Sequence, residues 1–324
     1  MRAYLCHAFG PLDQHHAGQL PDPTPADDEV IVQVEAAGVN YYDTLIVQGR
    51  YQLKPGLPFS PGGEFAGRIS AIGAQVEGFQ LGQRVLAFNS FGGYAEKARA
   101  KARQVFPLPD EVASDVAAAA LVAYATAWHA LHDRARMQPG ETVLVLGAAG
   151  GVGLAAVQIA RAAGCRVIAA ASSDDKLALC AESGACLGIN YREQALKEAV
   201  KAATAGRGAD IVVDVVGDAY TEAAVRATAW RGRVLIIGFA AGEIPRVPAN
   251  LLLLKGCDLL GVFWDEFLRR EPESCHRQVA AVLAGIADGT LRPPIQGRYP
   301  IEHAGEALRV LAERRATGKL LITP

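Results

Sequence analysis

The spacing in this chain best suited to hold a phosphate is Ala148-x-Gly150-x-x-Gly153. A short apolar run from Val143 to Leu146 leads into it, and a small-residue helical pattern leaves it. A strand that stops at a tight turn before a helix leaves the helix's first N–H groups without intrahelical partners and aimed at an anion. Gly150 and Gly151 let backbone approach a pyrophosphate, Gly153 lets the helix pack closely on the strand, Ala149 stands just before these glycines and Val152 lies among them. Ala148 stands where the usual fingerprint has its first Gly. The alternative is a bare strand-to-helix turn. The favoured ligand is a dinucleotide, and the chemistry such a ligand supplies is hydride transfer.

Which dinucleotide depends on the end of the next strand. An NAD site normally carries an acid there, bonded to the adenosine ribose. Here the run is Ile168-Ala-Ala-Ala-Ser172-Ser173-Asp174-Asp175-Lys176. The hydroxyls of Ser172 and Ser173 and the ammonium of Lys176 could receive a 2′-phosphate. Against this, Ser173 or Asp174 could simply cap the helix with Lys176 in solvent, and Asp174 or Asp175 could reach a ribose. The expectation is NADPH rather than NADH.

A zinc site needs three or four converging Cys, His or carboxylate ligands. The seven histidines and six cysteines show no such spacing. His129 and His132, three apart on a helical pattern, could share a face but have no Cys beside them. No metal is expected, so reduction must proceed without a Lewis acid.

These residues require elements to position them. Up to about residue 110 the chain reads as mostly β, with strands at Val30–Val34, Phe65–Ile72, Val85–Phe88 and Gly93–Lys97 punctuated by Gly and Pro. Helical spacing there is confined to Tyr41–Gln48. An Ala-rich helical pattern runs from Ala113 to Arg136, and a boundary is placed between about 110 and 125. Beyond it, continuous apolar strands (Cys165–Ala171, Ala209–Val216, Gly232–Phe239, Asp258–Phe263) alternate with helices, which implies a parallel sheet covered on both faces. The end returns to helices at His276–Asp288 and around Ala304–Leu311, then a strand at Lys319–Thr323. A nucleotide domain inserted late in a β-rich one predicts a cleft for substrate. The fold class is α/β, with domains at 1–120 plus 265–324 and at 121–264.

Length agrees with two domains: 324 residues, 51% hydrophobic and 20% charged, are too many for one core and too apolar for disorder. A net charge of −2 without a Lys/Arg cluster argues against nucleic acid or an anionic membrane as partner. Six cysteines without a CxxC pair suit reduced thiols in a cytoplasm. No signal peptide or membrane span is expected.

Together these stretches resemble the zinc-free quinone oxidoreductase (zeta-crystallin-like) branch of the medium-chain dehydrogenase/reductase superfamily. GVNYYDTLIVQGRY (38–51), PGGEFAGRISAIG (61–73), GAAGGVGLAAVQIA (147–160), INYRE (189–193), the run 237–264 and the ATGKLLITP tail carry it. The resemblance implies a GroES-like catalytic domain, a Rossmann domain, NADPH and a homodimer. It implies that Ser172, Ser173, Lys176 and Tyr191 meet the 2′-phosphate, and that Phe239, Phe263 and Trp264 lie in loops over the cofactor. It places Asn40, Tyr51 and Thr126 near the nicotinamide and substrate. Each has a plainer reading: a helix N-cap for Asn40, with Asp43 in the first turn; packing on Pro55 or Pro58 for Tyr51; a bond to a helix carbonyl for Thr126; a surface tyrosine at 191. Where the zinc alcohol dehydrogenases of that superfamily have ligands, this chain has Asn40, Gly63 and Val122. PGGE in place of the commoner PGSE or PGTE is expected to matter little. The implied activity is reduction of a quinone or enone. The alternatives are an enoyl-thioester or alkenal reductase with Tyr51 as proton donor, and a cofactor-binding protein with a structural or RNA-binding role.

Overall fold

The computed structural model describes residues 1–324, which form two compact units. The first comprises Met1–Val122, Leu268–Gly289 and Pro293–Pro324; the second comprises Ala123–Phe267 and Thr290–Arg292.

The chain begins with β1 (Arg2–Leu5), β2 (His16–Gln19), β3 (Glu29–Gly38), α1 (Tyr41–Val47), β4 (Glu64–Ile72), β5 (Arg84–Phe88), β6 (Lys97–Lys101), β7 (Val105–Pro107) and α2 (Ser114–Ala118). Next come α3 (Leu121–Trp128) and a π-helical segment, His129–Arg134. The second unit then alternates β8 (Thr142–Leu146), α4 (Gly151–Ala162), β9 (Arg166–Ala171), α5 (Asp174–Glu182), β10 (Leu187–Asn190) and α6 (Leu196–Ala203). It continues with β11 (Ala209–Asp214), α7 (Asp218–Ala227), β12 (Thr228–Ile236), α8 (Ala249–Lys255), β13 (Asp258–Gly261) and α9 (Trp264–Arg270). The chain ends with α10 (Pro272–Ala287), β14 (Ile295–Pro300), α11 (Ala304–Ala312) and β15 (Lys319–Thr323).

In the first unit a mostly antiparallel sheet runs β14-β15-β3-β4-β5-β7, with β6 also on β3. Alternate residues Val30, Val32 and Val34 of β3 enter one core with Phe65, Ile69, Val85, Leu308 and Ile322. Only Gln33 and Glu35 alternate with them as exposed residues, and Ile31 and Ala36–Gly38 are buried as well, so the period-two pattern holds over the middle of β3 alone. In the second unit six parallel strands run β10-β9-β8-β11-β12-β13. All five residues of β8 are buried, as a strand covered on both faces requires. That order is two mononucleotide-binding halves meeting at β8 and β11, so the ends of β8 and β9 are where a dinucleotide fold presents its ligand. The fold is thus a GroES-like unit and a Rossmann unit, as expected.

Two expectations need correcting. The strand placed at Gly93–Lys97 is instead β6, Lys97–Lys101. Gly92 has φ +108°, the Gly93 and Tyr94 amides bond to Gly62 and Pro61 carbonyls at 2.7 and 3.0 Å, and Tyr94–Glu96 make only a short antiparallel bridge to β1 at Ala3 and Ala95 before the ladder with β3 begins. The Ala-rich pattern from 113 to 136 is not one helix. It breaks before α3, where the Val122 amide donates to Glu64 Oε2 at 2.6 Å, and it widens to π geometry from His129.

Candidate functional site

In the second unit, Gly147 ends β8 with φ +63°, and the chain turns through Ala148 and Ala149 to Gly150, the residue before α4. No side chain caps α4, so the amides of Gly151, Val152 and Gly153 face out of its start. A Cβ on Gly153 would lie 2.4 Å from the Gly147 oxygen and 2.7 Å from Ala148 Cα, which is why only glycine fits there. Gly150 leaves bare backbone at the mouth of the turn, with nothing nearer its absent Cβ than 3.4 Å. A pyrophosphate fits this arrangement of small residues and outward amides.

Beside it, Ser172 follows the last residue of β9, and Ser173 is the N-cap residue of α5 but makes no side-chain capping bond. Lys176 Nζ lies 3.5 Å from Ser172 Oγ. Tyr191 joins them because its amide donates to the Ala171 carbonyl at 3.1 Å, and its ring leans on Tyr220 at 4.6 Å. Of the two competing acids, Asp174 accepts a bond from Asn190 Nδ2 at 3.2 Å. Two hydroxyls, a cation and a phenol ring thus gather at the ends of β9 and β10. Phe239 follows β12 and Phe263 follows β13, both with exposed rings, whereas Trp264 is buried and opens α9. Thr126 is buried in α3. His129 and His132 part company: one stacks on Phe267 at 4.1 Å, the other packs on Trp128 at 4.3 Å.

In the first unit, Asn40 is the extended residue before α1, and its amide donates to Asp43 Oδ2 at 2.8 Å. Its side chain does more than the capping role the sequence suggests. Nδ2 donates to Glu64 Oε1 at 2.8 Å, and Oδ1 accepts from Lys319 Nζ at 2.9 Å. Lys319 and Glu64 also pair with each other, and both are buried. Gly38 makes room for this, since a Cβ there would stand 2.2 Å from Glu64 Oε1. Asp43 is fully buried and accepts a second bond, from the Tyr94 hydroxyl at 2.8 Å. Burial pushes its carboxyl up to about 7, and burial with the nearby Asp43 raises the Tyr94 phenol.

The two glycines of PGGE admit two tyrosines. A Cβ on Gly62 would meet the Tyr94 ring at 2.2 Å, and one on Gly63 would meet the Tyr42 hydroxyl at 1.7 Å. The substitution therefore matters: Tyr42 fills the space a side chain at 63 would take. Tyr51 packs on Tyr42, ring centres 5.6 Å apart, against the cluster that contains Phe59 and Ile46.

The sequence reading passed over Glu64, Lys319, Tyr42 and Tyr94. A signal was available for the charged pair: Lys319 is the one charge of the apolar run KLLIT, Glu64 heads a strand followed by three uncharged residues, and a buried charge demands a partner.

Residues 151–281 match the family described as zinc-binding dehydrogenase, and residues 26–110 match the alcohol dehydrogenase GroES-like domain. The quinone oxidoreductase-like protein 2 of Rattus norvegicus is 38% identical, covering 99% of this chain and 96% of its own. The chain belongs to the quinone oxidoreductase branch of the medium-chain dehydrogenase/reductase superfamily. This oxidoreductase is also 34% identical to the quinone oxidoreductase of Homo sapiens, over 99% of this chain and 97% of the human one. The Escherichia coli quinone oxidoreductase, solved in complex with NADPH, superposes with a TM-score of 0.94 at 28% identity over the full length of both chains. The zinc in the first family's description finds no donor set here. Gly63 has no side chain and Tyr42 occupies its space, Val122 is apolar, and Asn40 is taken by Glu64 and Lys319. No three His, Cys, Asp or Glu side chains come together, and no helix is long and apolar enough to cross a membrane.

Proposed function

We propose that this oxidoreductase uses NADPH to reduce quinones or related electron-poor enones, without a metal. The observation that carries the reading is the set of residues at the three zinc-ligand positions: an amide, a glycine and a valine. An acceptor reduced there must delocalise the charge it gains, as a quinone does, and needs only modest donors. The bound nicotinamide supplies the hydride. Asn40's amide and Tyr51's hydroxyl donate to the developing oxyanion, and Thr126 contacts substrate or nicotinamide. Ala149 to Gly153 receive the pyrophosphate, with Ser172, Ser173, Lys176 and Tyr191 around the 2′-phosphate and Phe239, Phe263 and Trp264 covering the cofactor. The names of the rat and human relatives, and the NADPH in the Escherichia coli structure, support this reading.

The reading includes a homodimer in a reducing compartment such as the cytoplasm. The strand β13 has a neighbour on one side only, Trp230, Leu253 and Leu254 are exposed in the same unit, and all six cysteines are free. A monomer mass by sedimentation equilibrium would remove the dimer.

The deciding assay follows NADPH oxidation with 1,4-benzoquinone or 9,10-phenanthrenequinone beside crotonyl-CoA, each repeated with NADH. Quinone turnover with NADPH preferred is expected. Turnover of crotonyl-CoA alone would replace the quinone reading with the enoyl reductase one, and a preference for NADH would remove the phosphate roles of Ser172 and Lys176. Binding of NADPH without turnover of any acceptor would leave the structural-protein reading.

A further inference from the structure

We infer that Lys319 and Glu64 are positioning residues for the Asn40 side chain, fixing which way its amide faces and leaving one N–H for an acceptor oxygen. The inference rests on the reading of Asn40 as a donor to substrate. An asparagine amide is nearly symmetric in shape, so packing alone does not tell its oxygen from its nitrogen. Charge does. An ammonium offers only donors and an ionised carboxylate only acceptors. Lys319 Nζ at 2.9 Å therefore admits only Oδ1, and Glu64 Oε1 at 2.8 Å admits only Nδ2. Rotating the amide by half a turn would set N–H against the ammonium and oxygen against the carboxylate, with both charges buried where water cannot relieve them.

Nδ2 carries two N–H groups, and Glu64 takes one. The other has no partner in the protein, and Asn40 is only half-buried. Contact with the ammonium also polarises the amide carbonyl, which makes the remaining N–H a stronger donor. Glu64 is held in turn by the Val122 amide at 2.6 Å, so its carboxylate cannot rotate away from Asn40. A buried ion pair is weak evidence for stability, since apolar residues of like volume often serve as well. Setting a nearby amide explains its presence better than stability does.

Two experiments test this. The chain has four asparagines, at 40, 89, 190 and 250, so selective 15N-asparagine labelling gives few side-chain amide signals, and Asn40→Ala assigns the one in question. In the wild type the Asn40 pair should show one proton shifted well downfield and protected from exchange. A pair with free-amide shifts and exchange overturns the proposal whatever the enzyme reduces. The second is a double-mutant cycle in kcat with whichever acceptor the wild type turns over. Lys319→Met should lower kcat about tenfold to a hundredfold with the KM for NADPH unchanged, and Lys319→Arg should recover part of the loss. In an Asn40→Ala background, Lys319→Met should change kcat less than twofold. Equal loss in both backgrounds means that Lys319 does not act through Asn40 and sinks the idea. A wild type that reduces no quinone or enone removes the proposed reaction, and the amide signal alone then decides the inference. The same signal decides if Lys319→Met does not fold.

Discussion

Replacing Asp43 with Asn should remove a pH dependence that the first unit carries in its core. One carboxyl oxygen accepts the Asn40 amide and the Tyr94 hydroxyl, both at 2.8 Å, while the other has no partner. Burial raises its pKa from 3.8 to about 7 against the pull of those two donors and of Lys319; Glu64 adds a smaller push upward. The folded protein thus keeps a proton that the unfolded chain loses. Where the native state binds more protons, stability falls as pH rises. Relative to Asp43→Asn, the wild type should lose about 4 kcal/mol over the whole titration, at 1.36 kcal/mol per pKa unit, and about 3 kcal/mol of that between pH 5 and 8. Asparagine can accept both bonds through its oxygen, so the comparison is of slopes rather than of absolute stability. The tryptophans, at 128, 230 and 264, all lie in the second unit, and their fluorescence would miss the effect. Hydrogen exchange by mass spectrometry on peptides from β3, β4 and α1 reads the right unit, and peptides from β8 and β11 serve as the control. Equal pH slopes in the two proteins would refute the assignment of that proton to Asp43.

Gly63→Ala alone should cost about 2 to 3 kcal/mol by overpacking against Tyr42, and Tyr42→Phe in the same chain should recover most of it; thermal unfolding of the single and double variants checks this. Gly153→Ala places a methyl against backbone that cannot retreat, so NADPH affinity in a calorimetric titration should fall at least about tenfold. Lys176→Ala should raise the KM for NADPH about 10- to 100-fold, the loss of a charge-assisted bond, and leave that for NADH unchanged; equal effects on both cofactors would remove Lys176 from the 2′-phosphate.

Much of the second unit was legible from sequence because its signals are local. A strand such as β8 is apolar throughout, its turn is glycine-rich, and the helix after it begins within a few residues. The cofactor cradle follows from that continuity. The polar cluster of the first unit was not legible, because Asn40, Glu64, Tyr94 and Lys319 are distant in sequence and meet only through strand pairing. Asn40 could be read as a cap, and it is one; that its amide also answers to two buried charges is a tertiary fact. Gly63 looked like a harmless variant because nothing local says that a tyrosine from α1 will point there. The segment 93–97 misled for the same reason, since its glycine turn sends Tyr94 inward to Asp43.

The pairing of Glu64 with Lys319 spans 255 residues, and the entire Rossmann unit is made in between. At about 5 to 20 residues per second, Glu64 waits roughly 10 to 50 s on the ribosome for its cation. During that interval β3 lacks its neighbour β15 beside Ala37 and Gly38, and closing the core would bury an unpaired carboxylate. The middle of this chain therefore has the time and the local contacts to fold first, while the beginning stays open for the end. Nascent chains stalled before residue 319 should hold a finished nucleotide unit and an immature first unit. Closure of the first unit then waits on β15, so an unpaired Glu64 marks any chain in which that strand has not yet been made.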